Sequence, residues 1–384
     1  MAFALTHNNL NFETLELIIR DKPLLELPET LFAAEPTLSP SSDKNNLAQI
    51  YLEAHAVSFG PAVPEEIIRL ALVLQFYPLI KNKNLTLAPA IIQRLLAFYN
   101  REVFPVVQQQ CAAASQAAQF YLPLLGKGKI SFQGYELNAA DVNNIFSWEP
   151  IALLPEEVNY LVNQPIFTYA ETTLNLIKLQ PLLRWVNYLS DLFLQLAATE
   201  PLSAETEQIA TALTQVKKLI SANATLPVEQ QNLGQLRDGL LELLTEINHV
   251  NEALAGNTTD TLENLFANAE PPFTTSFTLA SSLVQSIQKQ LAIMVSNPAD
   301  IIFTRADINI INNLLAKAIV YFEQLTALAF WSVAQVGKIF NFNAGNITLS
   351  TYYHSSLFVP KEIVSLQLEN IITYIRSTTP NSVT

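Results

Sequence analysis

One thiol and four imidazoles limit the chemistry this chain can do. Cys111 is the only cysteine, so no disulfide can form within the chain, and a reducing compartment is expected. His7, His55, His249 and His354 are scattered, without the spacing that sets metal ligands on one helix face, so no metal centre is predicted. There is no glycine-rich phosphate loop and no Gly-x-Ser-x-Gly turn to present a serine nucleophile. Asn163 ends a helical run, where its amide can satisfy the helix itself or touch a ligand. Phe322, Phe330 and Trp331 fall at helical spacing and read as core.

The elements that must position these residues are mostly helices. The chain has 384 residues, 50% hydrophobic and 14% charged, with only 9 glycines. Scarce glycine and long apolar-periodic runs predict helices over a turn-rich sheet. A net charge of −13 with no basic stripe excludes a nucleic-acid backbone as partner. The low charged fraction predicts buried contacts between copies, hence a homo-oligomer, dimer or tetramer. The N-terminus lacks a basic region followed by an apolar core, so no signal peptide is read and a cytoplasmic protein is expected. The most apolar long stretch, 313–340, is broken by Lys317 and Glu323, which predicts a buried bundle helix and no membrane partner. In a cytosolic protein the glycosylation sequons at Asn84, Asn223, Asn257 and Asn346 carry no meaning.

Along the chain, helices are predicted over 13–20, 44–58, from Pro64 to about Phe76, from Pro89, over 139–146 and over 156–163. The alternating, glycine-bearing segment 126–137 predicts a hairpin. Long helices follow over 167–199, 203–222, 228–255, 277–296 and 308–340, with Pro227 in a connection, then a loop at 341–350 and a last helix at 360–376. This divides the chain into a mixed region, 1–165, and a long-helix bundle, 166–384.

Three stretches carry a family resemblance. Ala54-His55-Ala56 through Gly60, with VPEEIIRLALVLQ after it, is similar to a Ser-His-Ala-Ala-Gly segment and the helix that follows it. Residues 124–163 track a pattern of Leu-Leu-Gly, a Gln-Gly hairpin, Glu-Pro, Pro-Lys-Glu and Leu-Leu-Asn-Gly-Thr. Asn297-Pro298 before Ile301-Ile302-Phe303 is like an Asp-Asn-Pro turn. Together they resemble the aromatic amino acid ammonia-lyases, which act on histidine or phenylalanine. The resemblance implies an all-α fold: a central bundle of long helices and a small N-terminal part with a short hairpin. It also implies a homotetramer with active sites at junctions between chains.

The resemblance further implies an electrophile, methylideneimidazolone, cyclised from Ala-Ser-Gly, in which an unhindered glycine nitrogen must reach the alanine carbonyl. This sequence contains no Ala-Ser-Gly. The matching segment is PVVQQQCAAASQAAQFYLPLLG, 105–126. It offers Gln110-Cys111-Ala112, where a cysteine stands in the serine's place, and Ala114-Ser115-Gln116, where glutamine follows the serine. Cyclisation at either is not expected, so no cofactor is predicted, and 108–126 reads as one alanine-rich helix. The tyrosine base on a glycine-rich loop is also missing: residues 32–46 contain neither tyrosine nor glycine. No arginine stands in 271–281 to clamp a substrate carboxylate. The family's C-terminal glutamate region is expected to begin only beyond Thr384.

Two family positions keep a polar residue: His55, as a buried structural histidine or a catalytic one, and Asn163. With Tyr160 and Tyr169 they are the candidate polar groups. Three functions stay open. One is an oligomeric scaffold without deamination chemistry that binds a partner or a small apolar ligand. The second is an enzyme with changed chemistry on a small, largely apolar substrate of a specialised biosynthetic pathway. The third is a lyase whose electrophile is built from Cys111.

Overall fold

The structure is a computed structural model that describes residues 2–6, 9–32, 42–82, 87–197, 206–229, 233–268, 273–295, 307–339, 364–378 and 380. The predicted turn at 297–303, the loop at 341–350 and most of 32–46 lie outside the described residues. Two compact units emerge: Met1–Leu174 with Ala224–Asn232, and Asn175–Asn223 with Leu233–Thr384. The first therefore extends past residue 165 into the long-helix region.

The first unit begins with β1 (Ala2–Ala4), α1 (Phe12–Asp21) and β2 (Leu24–Glu26), β1 and β2 pairing in parallel. Then come α2 (Ser42–His55), β3 (Phe59–Ala62), α3 (Glu65–Lys81), α4 (Pro89–Asn100), β4 (Val103–Pro105) and β5 (Gln108–Gln110). α5 (Ala113–Tyr121), β6 (Lys129–Phe132), β7 (Tyr135–Asn138), α6 (Ala139–Phe146) and α7 (Pro155–Asn163) follow, and then the start of α8 (Ile166–Ala197).

α3 is the core element: every residue from Ile68 to Tyr77 is buried. A helix apolar on all sides is stable only when enclosed. It runs through Pro78 to Lys81, past the end predicted at Phe76. Its one buried cation, Arg69, lies 4.7 Å from the Phe104 ring centroid and 5.3 Å from that of Tyr99, and donates to Glu102 Oε1 at 2.8 Å. The charge is thus compensated where it is desolvated.

The predicted hairpin is β6–β7, and β4 pairs antiparallel with β6 to make a three-stranded sheet. Its two-residue turn has φ 51° at Gln133 and 80° at Gly134, the doubly left-handed turn that matches strand twist. Glu157 then fixes where α7 starts. One carboxylate oxygen accepts from Leu154 N at 2.8 Å, at the entry to α7, and the other from Ala88 N at 2.9 Å, at the entry to α4.

The segment 108–126 is not one helix. Gln108–Gln110 is a strand, paired antiparallel with Phe59–Ala62, and the helix starts only at Ala113. Val63 N donates to Val107 O at 2.7 Å and the Gln109 side chain to Ala62 O at 3.1 Å. These partners come from about fifty residues upstream, and they outweigh the local preference of glutamine and alanine for helix.

In the second unit lie the rest of α8, most of α9 (Thr206–Glu229), α10 (Leu233–Asn268), α11 (Phe273–Val295), α12 (Asp307–Ile339) and α13 (Val364–Ser377). α10 packs on α11 and α12, and α12 on α13. Trp185 is fully buried, edge-on to Phe330 and Tyr374, and donates through Nε1 to Thr378 O at 3.1 Å. Arg376 grips Glu323 with two bonds of 2.6 Å, a bidentate pairing.

Two predicted boundaries move. α9 continues through Pro227 to Glu229, and α10 runs beyond residue 255 to Asn268. The polar run there stays helical because its buried side chains bond back to the helix. Asn257 donates to Ala253 O at 2.9 Å, Thr258 to Leu254 O at 2.7 Å and Thr261 to Asn257 O at 2.8 Å. α12 holds the one described stretch, Ile308–Gln335, long and apolar enough to cross a membrane, and two thirds of its most apolar window is buried within the chain.

Candidate functional site

The residues that could do chemistry in the first unit gather where β5 turns into α5. Gln110 ends β5, exposed, with its side chain against Gly60. Cys111 follows, half-buried; its thiol donates to Gln108 O at 3.2 Å and receives Gln119 Nε2 at 3.7 Å. Burial pushes this thiol up, so it is a thiol and not a nucleophilic thiolate at neutral pH. Gln119 is the hub: its amide also donates to Ser115 O at 3.1 Å, and its Oε1 accepts from Gln108 N at 3.1 Å and lies 2.8 Å from Ser58 Oγ. The end of the strand and the first turn of the helix are therefore tied by one side chain.

Ala112 caps α5 from extended backbone, and Ala114, Ser115 and Gln116 form its first turn. Ser115 N and Gln116 N both donate to Ala112 O, at 2.8 and 3.0 Å. The nitrogen that would have to attack the Ala114 carbonyl is thus engaged in the helix, and the Gln116 side chain behind it is buried. The residues here do not fit a methylideneimidazolone.

Glu171, on α8, completes the cluster. Its carboxyl is held by the Gln116 amide, while Oε2 is buried with no hydrogen-bond partner, as is Gln116 Oε1. Burial pushes the carboxyl up to about 7, against the pull of Gln116. Its charge in turn raises the Cys111 thiol. One turn later on α5 and one turn earlier on α8, Phe120 meets Phe167 edge-on at 5.4 Å, so α5 and the start of α8 run antiparallel. A carboxyl that titrates near neutrality inside the protein can hold or release a proton under ordinary conditions.

The other sequence candidates are less connected. His55 is not buried: it is the half-exposed last residue of α2, with Nδ1 2.9 Å from Tyr51 O and its ring 4.0 Å from the Tyr51 ring. Asn163 is exposed and donates to Asn159 O at 2.8 Å and to Asn159 Oδ1 at 3.0 Å, the helix-end role. Tyr169 is buried on α8. The Tyr160 hydroxyl is buried without a partner, and burial pushes it up to about 12, so it remains a phenol at neutral pH. Behind it Tyr121 donates to Gln75 Oε1, deep in the core. Of the residues singled out in the sequence, Cys111 and Ser115 are joined through Gln119, and Gln116 holds Glu171, whose charge acts on Cys111. Among the described residues no group of histidine, cysteine and carboxylate side chains could hold a metal ion.

The sequence profile described as aromatic amino acid lyase matches residues 34–225, half of the chain, a span that contains the whole cluster. The chain belongs to the aromatic amino acid lyase family. Within the lyase family it is similar to the histidine ammonia-lyase of Geobacillus thermodenitrificans, 31% identical over 127 residues, which are 32% of this chain and 25% of that protein. To the Staphylococcus saprophyticus enzyme it is 27% identical over 176 residues, 44% of this chain and 35% of that protein. The match thus spans about a quarter to a third of the length of these curated relatives. Among solved structures, histidine ammonia-lyase from Trypanosoma cruzi superposes with a TM-score of 0.83 at 13% identity, covering 98% of this chain and 94% of that one. Ergothionase from Treponema denticola gives 0.76 at 12% identity, covering 98% and 99%. At such identities these structures establish the all-α lyase fold.

Proposed function

We propose that this lyase-family chain has given up electrophile-dependent deamination and serves as a self-assembling scaffold that binds a partner or a small, largely apolar ligand. The observation that carries the reading is Gln116. In the place of the glycine that must cyclise stands a residue with a buried side chain, whose nitrogen donates to Ala112 O. Cys111, the alternative source of an electrophile, is followed by Ala112 and not by glycine. The intact mass of the purified protein is expected to equal that of the unmodified chain. A deficit of two waters, or of water and hydrogen sulfide, would mean that Ser115 or Cys111 has cyclised and dehydrated, and would end the reading.

Assembly with itself is part of the proposal. Large apolar side chains are exposed on α2, on the strand after it and between the two: Leu47, Ile50, Val57 and Phe59 are 60–74% exposed. Large apolar side chains exposed this close together in the chain suit a surface that a second copy covers. Light scattering is expected to give the mass of a dimer or tetramer; a monomer at micromolar concentration would remove this part. We place the protein in the cytoplasm, on its single free cysteine.

A second reading is favoured by Glu171. A carboxyl poised near 7 beside Cys111 suits an enzyme with changed chemistry on a small, largely apolar substrate. Screening small apolar acids and amines for turnover that Glu171→Gln abolishes would separate the two.

A further inference from the structure

Two buried oxygens between α5 and α8 share one deficit. Gln116, on the first turn of α5, is 2% exposed, and its amide holds the Glu171 carboxyl on α8. That contact uses an N–H of the amide. Gln116 Oε1 and Glu171 Oε2 are left over, both buried without a hydrogen-bond partner. With the carboxyl ionised both are acceptors, so neither can satisfy the other, and each bears an unrelieved desolvation cost. A single proton repairs both atoms. A protonated carboxyl carries a donor and an acceptor side by side, as a primary amide does. With the proton on Oε2, that oxygen donates to Gln116 Oε1 while Gln116 Nε2 donates to Glu171 Oε1, and the two planar heads close a hydrogen-bonded ring.

We propose that Glu171 and Gln116 form a proton-bridged acid–amide pair, a latch that ties the first turn of α5 to α8 when the carboxyl is protonated and loosens when it ionises. Burial pushes the carboxyl up to about 7, so the latch works around neutrality, closed below and open above. The other titratable groups on α5, the turn before it and α7 do not take over its role. Cys111, Tyr121 and Tyr160 are pushed up and stay neutral at pH 7. Glu157 is spent on backbone amides, Glu156 is exposed, and no cation acts on the Glu171 carboxyl. The latch requires neither catalysis nor assembly.

Infrared spectroscopy of the full chain in heavy water tests it, with Glu171→Gln as the blank. A protonated carboxyl absorbs above the amide band, and at pH 6 ordinary carboxyls are almost wholly ionised. The wild type is expected to show one acid carbonyl band at pH 6, at the position of a hydrogen-bonded acid, and to lose it by pH 9. Gln116→Met removes the amide. Burial alone would then push the carboxyl further up. Loss of the amide oxygen that accepts the proton should instead lower the midpoint by about half a pH unit, a roughly threefold loss of proton affinity. If this variant fails to fold, the position of the wild-type band decides. No acid band at pH 6 would mean that water or another donor satisfies both oxygens. That result, a band at the position of an unbonded acid, or a midpoint that Gln116→Met leaves unchanged or raises would overturn the proposal.

Discussion

Replacing Glu171 by glutamine is expected to stabilise the protein at pH 8 by up to about 3 kcal/mol, and by much less at pH 5. The carboxyl titrates near 4.5 when exposed and near 7 in the folded chain. The folded state therefore holds its proton between those two values while the unfolded state gives it up. Stability falls as pH rises from about 4.5 to about 7 and is level beyond, with each unit of difference worth about 1.4 kcal/mol. Glutamine carries no charge to bury, keeps the shape, and can still meet the Gln116 amide. Urea unfolding of the two proteins at pH 5 and pH 8 measures the effect. A pH-independent difference between them would mean that Glu171 is already ionised and paired in the folded chain.

Gly239→Ala, in α10, is expected to cost about 2 kcal/mol, although alanine is the better helix former by about 1 kcal/mol. An added Cβ would lie 2.1 Å from Asn223 Oδ1 and 2.8 Å from its Cγ. Asn223, on α9, is 2% exposed and donates to Leu219 O at 2.8 Å. The methyl must break that bond or push two helices apart, and overpacking of this kind outweighs the propensity gain. Pairing it with Asn223→Ala is expected to recover most of the loss, a coupling above about 1 kcal/mol. Stabilisation by Gly239→Ala alone would show that α9 and α10 do not approach so closely.

Local signals in the sequence place much of the fold. Proline and the acids after it open α3 and α7, and Gln133-Gly134 between alternating residues is a turn that few other pairs allow. What the sequence hides is non-local. Gln108–Gln110 reads as helix because its strand partner, Phe59–Ala62, lies far upstream. The stops expected at Pro227 and near Gly256 fail because tertiary packing and side-chain back-bonding carry α9 and α10 onward. The cluster is half legible. Cys111 and Gln116 stand out because the family resemblance points to that segment. Glu171 does not, since one acid in a helical run looks like any solvated position until α5 is laid over it. His55 misleads in the other direction, its motif surviving while its ring stays half in water.

The carboxylate of Glu157 has a consequence for how the first unit assembles. Its two oxygens hold backbone amides 66 residues apart in the chain, at Ala88 and Leu154. The Leu154 bond is local to α7, whereas the Ala88 bond forms only when α7 is docked at the entry to α4, so that end of α4 depends on α7. That clasp joins an early-synthesised helix to a much later one, so this end of α4 is completed only once the long intervening loop has closed.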